Sequence, residues 1–538
     1  MPNHAMKRSD IIAGLSVASL LLPEAVAYAA IAGLPPQRAI FAGIAGCLAY
    51  ALYGQSRFAI VSPTSSSAAI LAAILLAVPV APEQKSALAT AAILLTGLFF
   101  VISGVARLGS LTGLIARPVL RGFSFGLAIT IIIKQLPAFT GLPLQAANIF
   151  ALAGGLLAQI NGWNTFSLAV GLVALTSLIA LRRIPALPGT FFVLAAGIAA
   201  SMLFNLPALG VATVGTIDTG LNWPSLPAFS YTQWSRLAQL AVPLALILLA
   251  ESWGTVSALA LRHGDKLEAN RELTAFGLAN FASALVQGMP VGAGFSVGST
   301  SEAAGSVSKW TAVVAALGLA LLVAFATPLV AHLPEPVLAA VVIAALVHAL
   351  NIKPFLQLWQ LKRDLFLALA AAAAVILFGV LDGMLIAIAL SIALVVQRLA
   401  HPRVVRLGRL HNTRDYVDIA RHDDTEQVKD VAIWRPSVPL LFANADAIFR
   451  TIENETLAQP GLRAVIVSLE ETFDLDSTSF EVISAFDAAM SKSGKHLLLA
   501  RVHDQVRDVL LAGGLTDLVT RCSYSVDDAV AVADQASK

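Results

Sequence analysis

Glu24 lies inside the apolar run 11–32 and Glu251 inside the run 240–261, each long enough to cross a bilayer. A carboxylate at that depth is costly, so it faces a cavity and marks an ion pathway or a proton relay. Each acid is followed, at a similar interval, by a segment rich in hydroxyls and small residues. The first is Val61-Ser62-Pro63-Thr64-Ser65-Ser66-Ser67, the second Phe295-Ser296-Val297-Gly298-Ser299-Thr300-Ser301. Ser62-Pro63 and Gly292-Ala293-Gly294 break a helix there, because proline fixes φ and removes a donor while glycine permits unwound backbone. Short extended pieces, 58–61 and 292–296, precede the two half-helices. Irregular backbone within a membrane survives only where it is paired or lines a cavity.

A half-helix that starts at mid-membrane presents unpaired N–H groups and the positive end of its dipole. Two such starts facing each other make an anion site without a cationic side chain. Ser62, Thr64, Ser65, Ser296, Ser299 and Thr300 are the candidate hydroxyl donors, with Tyr28 and Phe295 flanking them. The competing reading of these hydroxyls is close helix packing, the usual use of small residues in membranes. Ser299-Thr300-Ser301-Glu302 also fits a capping box, which makes Glu302 a structural acid that serves its own helix start. Glu251 has three readings: a structural acid, a proton relay, or a sodium ligand together with Thr255, one helical turn on.

The elements that must position these groups follow from composition. The chain has 538 residues, 57% hydrophobic and 13% charged; soluble domains carry about twice that charge density. Net charge is +2, and no dense basic tract marks a nucleic-acid partner. Cys47 and Cys522 imply no disulfide framework. The first apolar run lacks a small-residue cleavage site and reads as a retained helix rather than a signal peptide. No metal cluster, nucleophile triad or phosphate loop is present, so catalysis is not expected and the only cofactor-like species are coupling ions: a proton, or sodium.

Apolar blocks of bilayer length recur at 9–32, 36–53, 64–79, 86–106, 112–136, 164–182, 186–205, 237–261, 268–286, 296–306, 308–330, 335–351, 363–381 and 382–399. The third and tenth are too short and polar to cross alone. Lys7 and Arg8 place the N-terminus in the cytoplasm, and alternation then puts Arg107, Arg182, Arg183, Arg262, Lys266, Lys309, Lys353, Lys362, Arg363 and Arg398 inside, with Arg38, Lys85 and Lys134 outside. The Pro- and Gly-rich stretch 206–234 connects two seven-helix halves, and an odd count per half inverts the second copy. Beyond Gln397 charge becomes frequent, so the domains read as 1–399 in the membrane (repeats about 9–205 and 237–399), 400–429 as linker and 430–538 as a soluble cytoplasmic tail.

Pro23-Glu24-Ala25-Val26-Ala27-Tyr28-Ala29 with Ala32-Gly33-Leu34-Pro35-Pro36 resembles the SulP anion permease family, also called solute carrier family 26. Ala250-Glu251-Ser252, Asn270-Arg271-Glu272-Leu273, Gly277-Leu278-Ala279-Asn280 and the stretch 290–305 continue the resemblance in order. It implies a mainly α, polytopic membrane protein of the bacterial inner membrane: 14 spans as two inverted repeats, forming core and gate domains, with a small α/β STAS domain at the C-terminus. It further implies a small-anion substrate held between the third and tenth helices, a homodimer, and a cytoplasmic partner for the STAS domain as an open question. Trp434-Arg435-Pro436 and Leu440 to Ala445 look like the opening strands and first STAS helix, Val465 to Ser468 like a buried strand, and Asp476 with Ser477 like a helix cap. The hydroxyl matching Thr478 can be phosphorylated in stand-alone STAS proteins; a plain helix start is the alternative.

Two positions depart from the resemblance. Where many members carry glutamine, this chain has Glu24, which must be protonated before it can donate to an anion; proton-coupled bacterial members similarly carry glutamate. Where many carry arginine, it has Val297, which leaves a divalent anion with less positive charge. The expected function is secondary active transport, with Glu24 and Glu251 as proton-coupling acids and sulfate, bicarbonate or a small dicarboxylate as cargo. A sodium-coupled bicarbonate carrier, a passive channel or exchanger, a nucleobase-type symporter and a membrane-anchored sensor are the alternatives.

Overall fold

The structure is a computed structural model that describes residues 6–81, 84–113, 116–144, 146, 148–181, 189–215, 229–400, 403–459 and 461–535. Arg182, Arg183 and much of the connection 206–234 lie outside the described residues. Two compact units divide at Ser391.

In the first unit, α1 (Arg8–Ala32) ends at Gly33, whose φ of 65° is easy only for glycine, and α2 (Pro36–Tyr53) begins on the proline pair. The chain continues through β1 (Val61–Pro63), α3 (Ser65–Ala77), α4 (Lys85–Val105), α5 (Arg117–Thr140), α6 (Ile149–Ala158), α7 (Thr165–Leu181) and α8 (Gly189–Phe204). The second half holds α9 (Tyr231–His263), α10 (Ala269–Leu285), β2 (Val291–Ala293), α11 (Phe295–Ala303), α12 (Trp310–Val330), α13 (Glu335–Leu346), α14 (Lys353–Leu361), α15 (Leu365–Phe378) and α16 (Val380–Ala400). Every expected apolar block contains a helix. α6 and α14 are too short to register as apolar blocks, and α5 starts later than its block, where 108–113 form a 3₁₀ turn. α1, α4, α5, α9 and 380–397 of α16 are long and apolar enough to cross a membrane.

Apolar residues fill the inside and also cover the outside: Phe204, Phe325, Phe366 and Leu377 are exposed. A surface of that kind belongs in lipid. α4 packs along α10 and α1 along α12, while α5 packs on α15 and α13 on α7. The first group shares one large apolar cluster with the strand pair; α5, α7, α8 and α13 contribute to a second, through Phe139, Leu178, Val193 and Val337. Buried acids hold the first group at its ends. Asp10 accepts from the amides of Val307 and Ser308 at 3.0 Å, and Glu272 accepts from the Tyr50 hydroxyl at 2.5 Å and the Gln55 amide at 2.6 Å. A buried carboxylate is tolerated only with such donors. Arg38, placed on the outer side of the membrane by alternation, is 5% exposed.

The second unit is a mixed sheet with helices on both faces. β3 (Val404–Leu410), β4 (Tyr416–Asp418), β5 (Thr425–Glu426), β6 (Val431–Pro436), α17 (Ala445–Leu457), β7 (Ala464–Ser468), α18 (Ser477–Lys492), β8 (His496–Ala500), α19 (Asp504–Ala512), α20 (Thr516–Thr520), β9 (Cys522–Ser523) and α21 (Val526–Gln535) give the order β4-β3-β6-β7-β8-β9, with β5 also on β3. Period-two alternation sends Ala432, Trp434, Val465 and Val467 to one apolar cluster and Val431, Ile433, Ala464 and Ile466 to the other. The expected linker 400–429 therefore holds three strands; charge frequency hid their short apolar alternation. Leu440 to Asn444 form no strand, and the helix starts at Ala445.

Asp476 caps α18, accepting from Ser479 N at 2.8 Å and from Phe442 N at 2.6 Å. Burial raises its carboxyl, but the Ser479 and Phe442 amides, the Ser479 hydroxyl and the Thr478 amide outweigh burial and hold it below the usual carboxylate range. Asp476→Ala is expected to cost about 1 kcal/mol. Because the folded-state value is depressed, the cap's contribution is present above the unfolded value near pH 4 and is lost as pH falls through the folded one. Hydrogen exchange of α18 in the full chain, with equal protection in both proteins at neutral pH, would contradict this.

Candidate functional site

Two chain breaks meet in the first unit. β1 and β2 pair antiparallel, Val61 opposite Ala293, Ser62 opposite Gly292 and Pro63 opposite Val291. Extended backbone inside a helical bundle has no water to satisfy it, so each break is the other's hydrogen-bond partner. Both strands lead directly into half-helices. Thr64 caps α3 in extended geometry (φ −121°, ψ 160°): its Oγ1 accepts from Ser67 N at 3.2 Å, and Ser67 Oγ accepts from Thr64 N at 3.1 Å. Gly294 caps α11 with no side chain to do so.

Both starts open on one cavity of about 420 Å³. α1 contributes Glu24 and Tyr28, α3 contributes Ser65 and Ser66, and α9 contributes Glu251, Gly254 and Thr255. Thr64, Gly294, Phe295, Ser296 and Val297 complete the polar wall; Phe123 and Leu127 of α5 and Leu346 of α13 close the apolar side. No lysine, arginine or histidine lies among the described lining residues. The available positive charge is that of the first-turn amides, Ser65 and Ser66 on α3 and Phe295 to Val297 on α11, which a helix leaves without internal acceptors.

The two acids are held differently. Glu251 accepts from Thr64 Oγ1 at 3.1 Å and from Ser66 Oγ. Glu24 has one hydroxyl contact, Ser296 Oγ, at 3.4 Å, the limit of a hydrogen bond. Glu251 is thus supported as a carboxylate by two donors, and Glu24 is close to unsupported.

The structure sorts the expected residues. Glu24, Tyr28, Thr64, Ser65, Phe295, Ser296, Glu251 and Thr255 line the cavity. Ser62 does not: its buried hydroxyl has no hydrogen-bond partner, and the residue borders a separate small void with Leu21, Glu24, Ala39 and Leu319. Ser299 and Thr300 turn their hydroxyls to the Phe295 and Ser296 carbonyls, at 2.6 and 2.9 Å, as hydroxyls within a helix do. The expected capping box at Glu302 does not form, because α11 has already started at Phe295. Glu302 stands at its end and pairs with Arg262 at 3.2 Å and His263 at 2.8 Å. Ser66 reads in the sequence as one hydroxyl in a run, and the α5 residues carry no signal there. Thr478 is part-exposed in the first turn of α18, in the other unit. No cluster of three metal-ligating side chains occurs among the described residues.

A lipid-compatible helical bundle with two opposed half-helix starts and flanking acids defines a membrane transporter. Comparison with known proteins agrees. Residues 8–395 match the sulfate permease family and residues 423–529 the STAS domain. A probable sulfate transporter of Mycobacterium tuberculosis is 33% identical over 518 residues, covering 95% of this chain and 92% of that one. Sulfate transporter 1.1 of Arabidopsis thaliana is 26% identical, covering 98% and 85%. Murine solute carrier 26 family member A9, solved in an inward-facing state, superposes with a TM-score of 0.91 at 19% identity, over 99% of this chain and 93% of that one. The transmembrane domain of a cyanobacterium bicarbonate transporter gives 0.64 at 21% identity, over 70% and 97%. At those identities the two structures share the fold alone. The chain belongs to the sulfate permease family. It is an integral membrane anion transporter, not an enzyme, and its C-terminal domain is a STAS domain.

Proposed function

We propose that the protein is a proton-coupled anion symporter of the bacterial inner membrane, working by alternating access. The carrying observation is the contrast between the acids: Glu24 borders both half-helix starts with one 3.4 Å hydroxyl contact, whereas Glu251 has two donors. An ionised Glu24 repels an arriving anion and cannot donate to it; a protonated one is neutral and can. Proton uptake at Glu24 and anion binding at the amides of Ser65, Ser66 and Phe295 to Val297 are then one event. Glu251 keeps α3 and α9 together and serves as a relay. Sodium at Glu251 and Thr255 is the second reading, favoured by the oxygen-rich wall they share with Thr64 and Ser66.

The cargo is an inorganic anion of the sulfate or bicarbonate type or a small dicarboxylate. The names of the relatives support sulfate, and Val297, in place of a charged residue, weakens the hold on a divalent ion. Fourteen crossings in two inverted halves, a core of α1–α4 with α9–α12 rocking against α5–α8 and α13–α16, cytoplasmic termini and a homodimer complete the proposal. The STAS domain is the surface for any cytoplasmic partner, with Thr478 as a modification point.

Proteoliposomes with an acidic outside and no sodium test the coupling. Labelled sulfate, bicarbonate, nitrate and succinate are offered in turn, and at least one is expected to accumulate above its equilibrium level. Uptake that only runs downhill, or that requires sodium, rejects proton symport.

A further inference from the structure

The two half-helix starts are held by different means. α3 carries its own reciprocal cap at Thr64 and Ser67, whereas Gly294 gives α11 none. The direction of α11 therefore depends on its packing against α1 and α9 and on the chain that leads into it. In that lead each carbonyl from Gly288 to Val291 is taken by a side chain from elsewhere. Arg38 Nε donates to Gly288 O at 3.2 Å, Ser283 Oγ to Met289 O at 2.5 Å, Ser67 Oγ to Pro290 O at 3.1 Å and Asn280 Nδ2 to Val291 O at 2.9 Å. Asn280 Oδ1 also accepts from Val291 N at 3.0 Å, so one carboxamide serves both backbone groups of that residue, as a neighbouring strand would. Ser252 Oγ accepts from Ala293 N at 2.9 Å and finishes the strap. Asn280 is fully buried. Arg38 is nearly so, and all its acceptors are neutral: Gly288 O, Ser86 O and Thr90 Oγ1.

We propose that Asn280, with Arg38 as the outer anchor, is a positioning residue for anion binding: through the strap 288–293 it sets the direction of the first-turn amides of α11. This rests on the reading that those amides hold the anion. Backbone donors are worth most when preorganised, and a displacement near 1 Å degrades them strongly. Glu24 lies on another helix and its one hydrogen bond is to Ser296, so a strap variant lowers anion affinity and leaves the protonation site itself unchanged.

The test is labelled sulfate and bicarbonate uptake by the full chain in proteoliposomes. Asn280→Ala is expected to raise KM about ten-fold, more than its loss of stability explains, with Vmax and pH profile close to the parent. Arg38→Gln should raise KM in the same way, and Arg38→Lys, which keeps a donor for Gly288, should restore most of it. If Asn280→Ala does not fold, Ser283→Ala removes a single donor from the same strap and carries the same expectation. Ser65→Pro tests the underlying reading separately: it deletes one α3 amide at a position where proline is tolerated. If Ser65→Pro raises KM but the strap variants do not, the positioning role is wrong and the amide cradle stands. If stability and Vmax fall in the strap variants while KM stays, Asn280 is merely structural and the proposal fails. If neither set moves KM, the cradle itself is wrong, and the proposal falls with it.

Discussion

Glu24→Gln is expected to end uphill anion uptake driven by a pH gradient while sparing anion binding and downhill exchange. With one proton per anion, a gradient of one pH unit sustains about ten-fold accumulation; the variant should show none. The amide is neutral at every pH and keeps a donor for the anion, so it imitates the protonated acid permanently. Binding should lose its pH dependence, and exchange rates should remain within a few-fold of the parent. Glu24 has one side-chain hydrogen bond, at 3.4 Å, so the isosteric substitution breaks little structure. The measurement is accumulation against a concentration gradient at two external pH values. An unchanged pH dependence would place coupling on Glu251 or on another ion.

Gly46→Ala is expected to damage anion binding through the strand pair. Gly46 lies on α2 against the strand pair. An added methyl would sit 2.6 Å from the Val61 carbonyl oxygen and 3.3 Å from both methyls of Val291, touching one strand through its backbone and the other through its side chain. A carbonyl within a paired strand cannot move without moving the half-helix behind it. Overpacking of this kind costs about 1–3 kcal/mol, and the loss of anion binding should exceed what that loss of stability explains. Gly154→Ala is the contrast: nothing lies within 4 Å of its added methyl, and a helix gains from alanine. Thermal unfolding with and without anion separates the two effects. Gly46→Ala should unfold earlier and lose the anion-induced shift, and retention of the full shift would show that the strand pair does not aim the half-helices.

The helices and the two breaks were legible because bilayer length and apolar runs are local properties of a sequence. The pairing of β1 with β2 was half legible. Pro63 and Gly292 announced irregular backbone, and the need to satisfy it announced some partner, but not that each break would be the other's. Side-chain direction was not legible. Thr64 and Ser66 turn to Glu251 and Ser299 and Thr300 to their own helix, although all belong to runs that look alike. The capping signature at Glu302 misled for the same reason: a four-residue pattern does not reveal that Gly294 has already started the helix. In the STAS domain, frequent charge at 403–426 concealed short strands that pair with one another and with β6.

Sequence alone determined a membrane bundle with two buried acids, two broken helices and an α/β tail, because burying charge and breaking helices in lipid carry costs that few arrangements relieve. Tertiary structure decided which hydroxyls face the cavity, which acid has donors, and that a strap from Arg38 to Ser252 holds the uncapped half-helix. Those outcomes depend on hydrogen bonds between residues far apart in the chain, and their geometry exists only once the helices have packed.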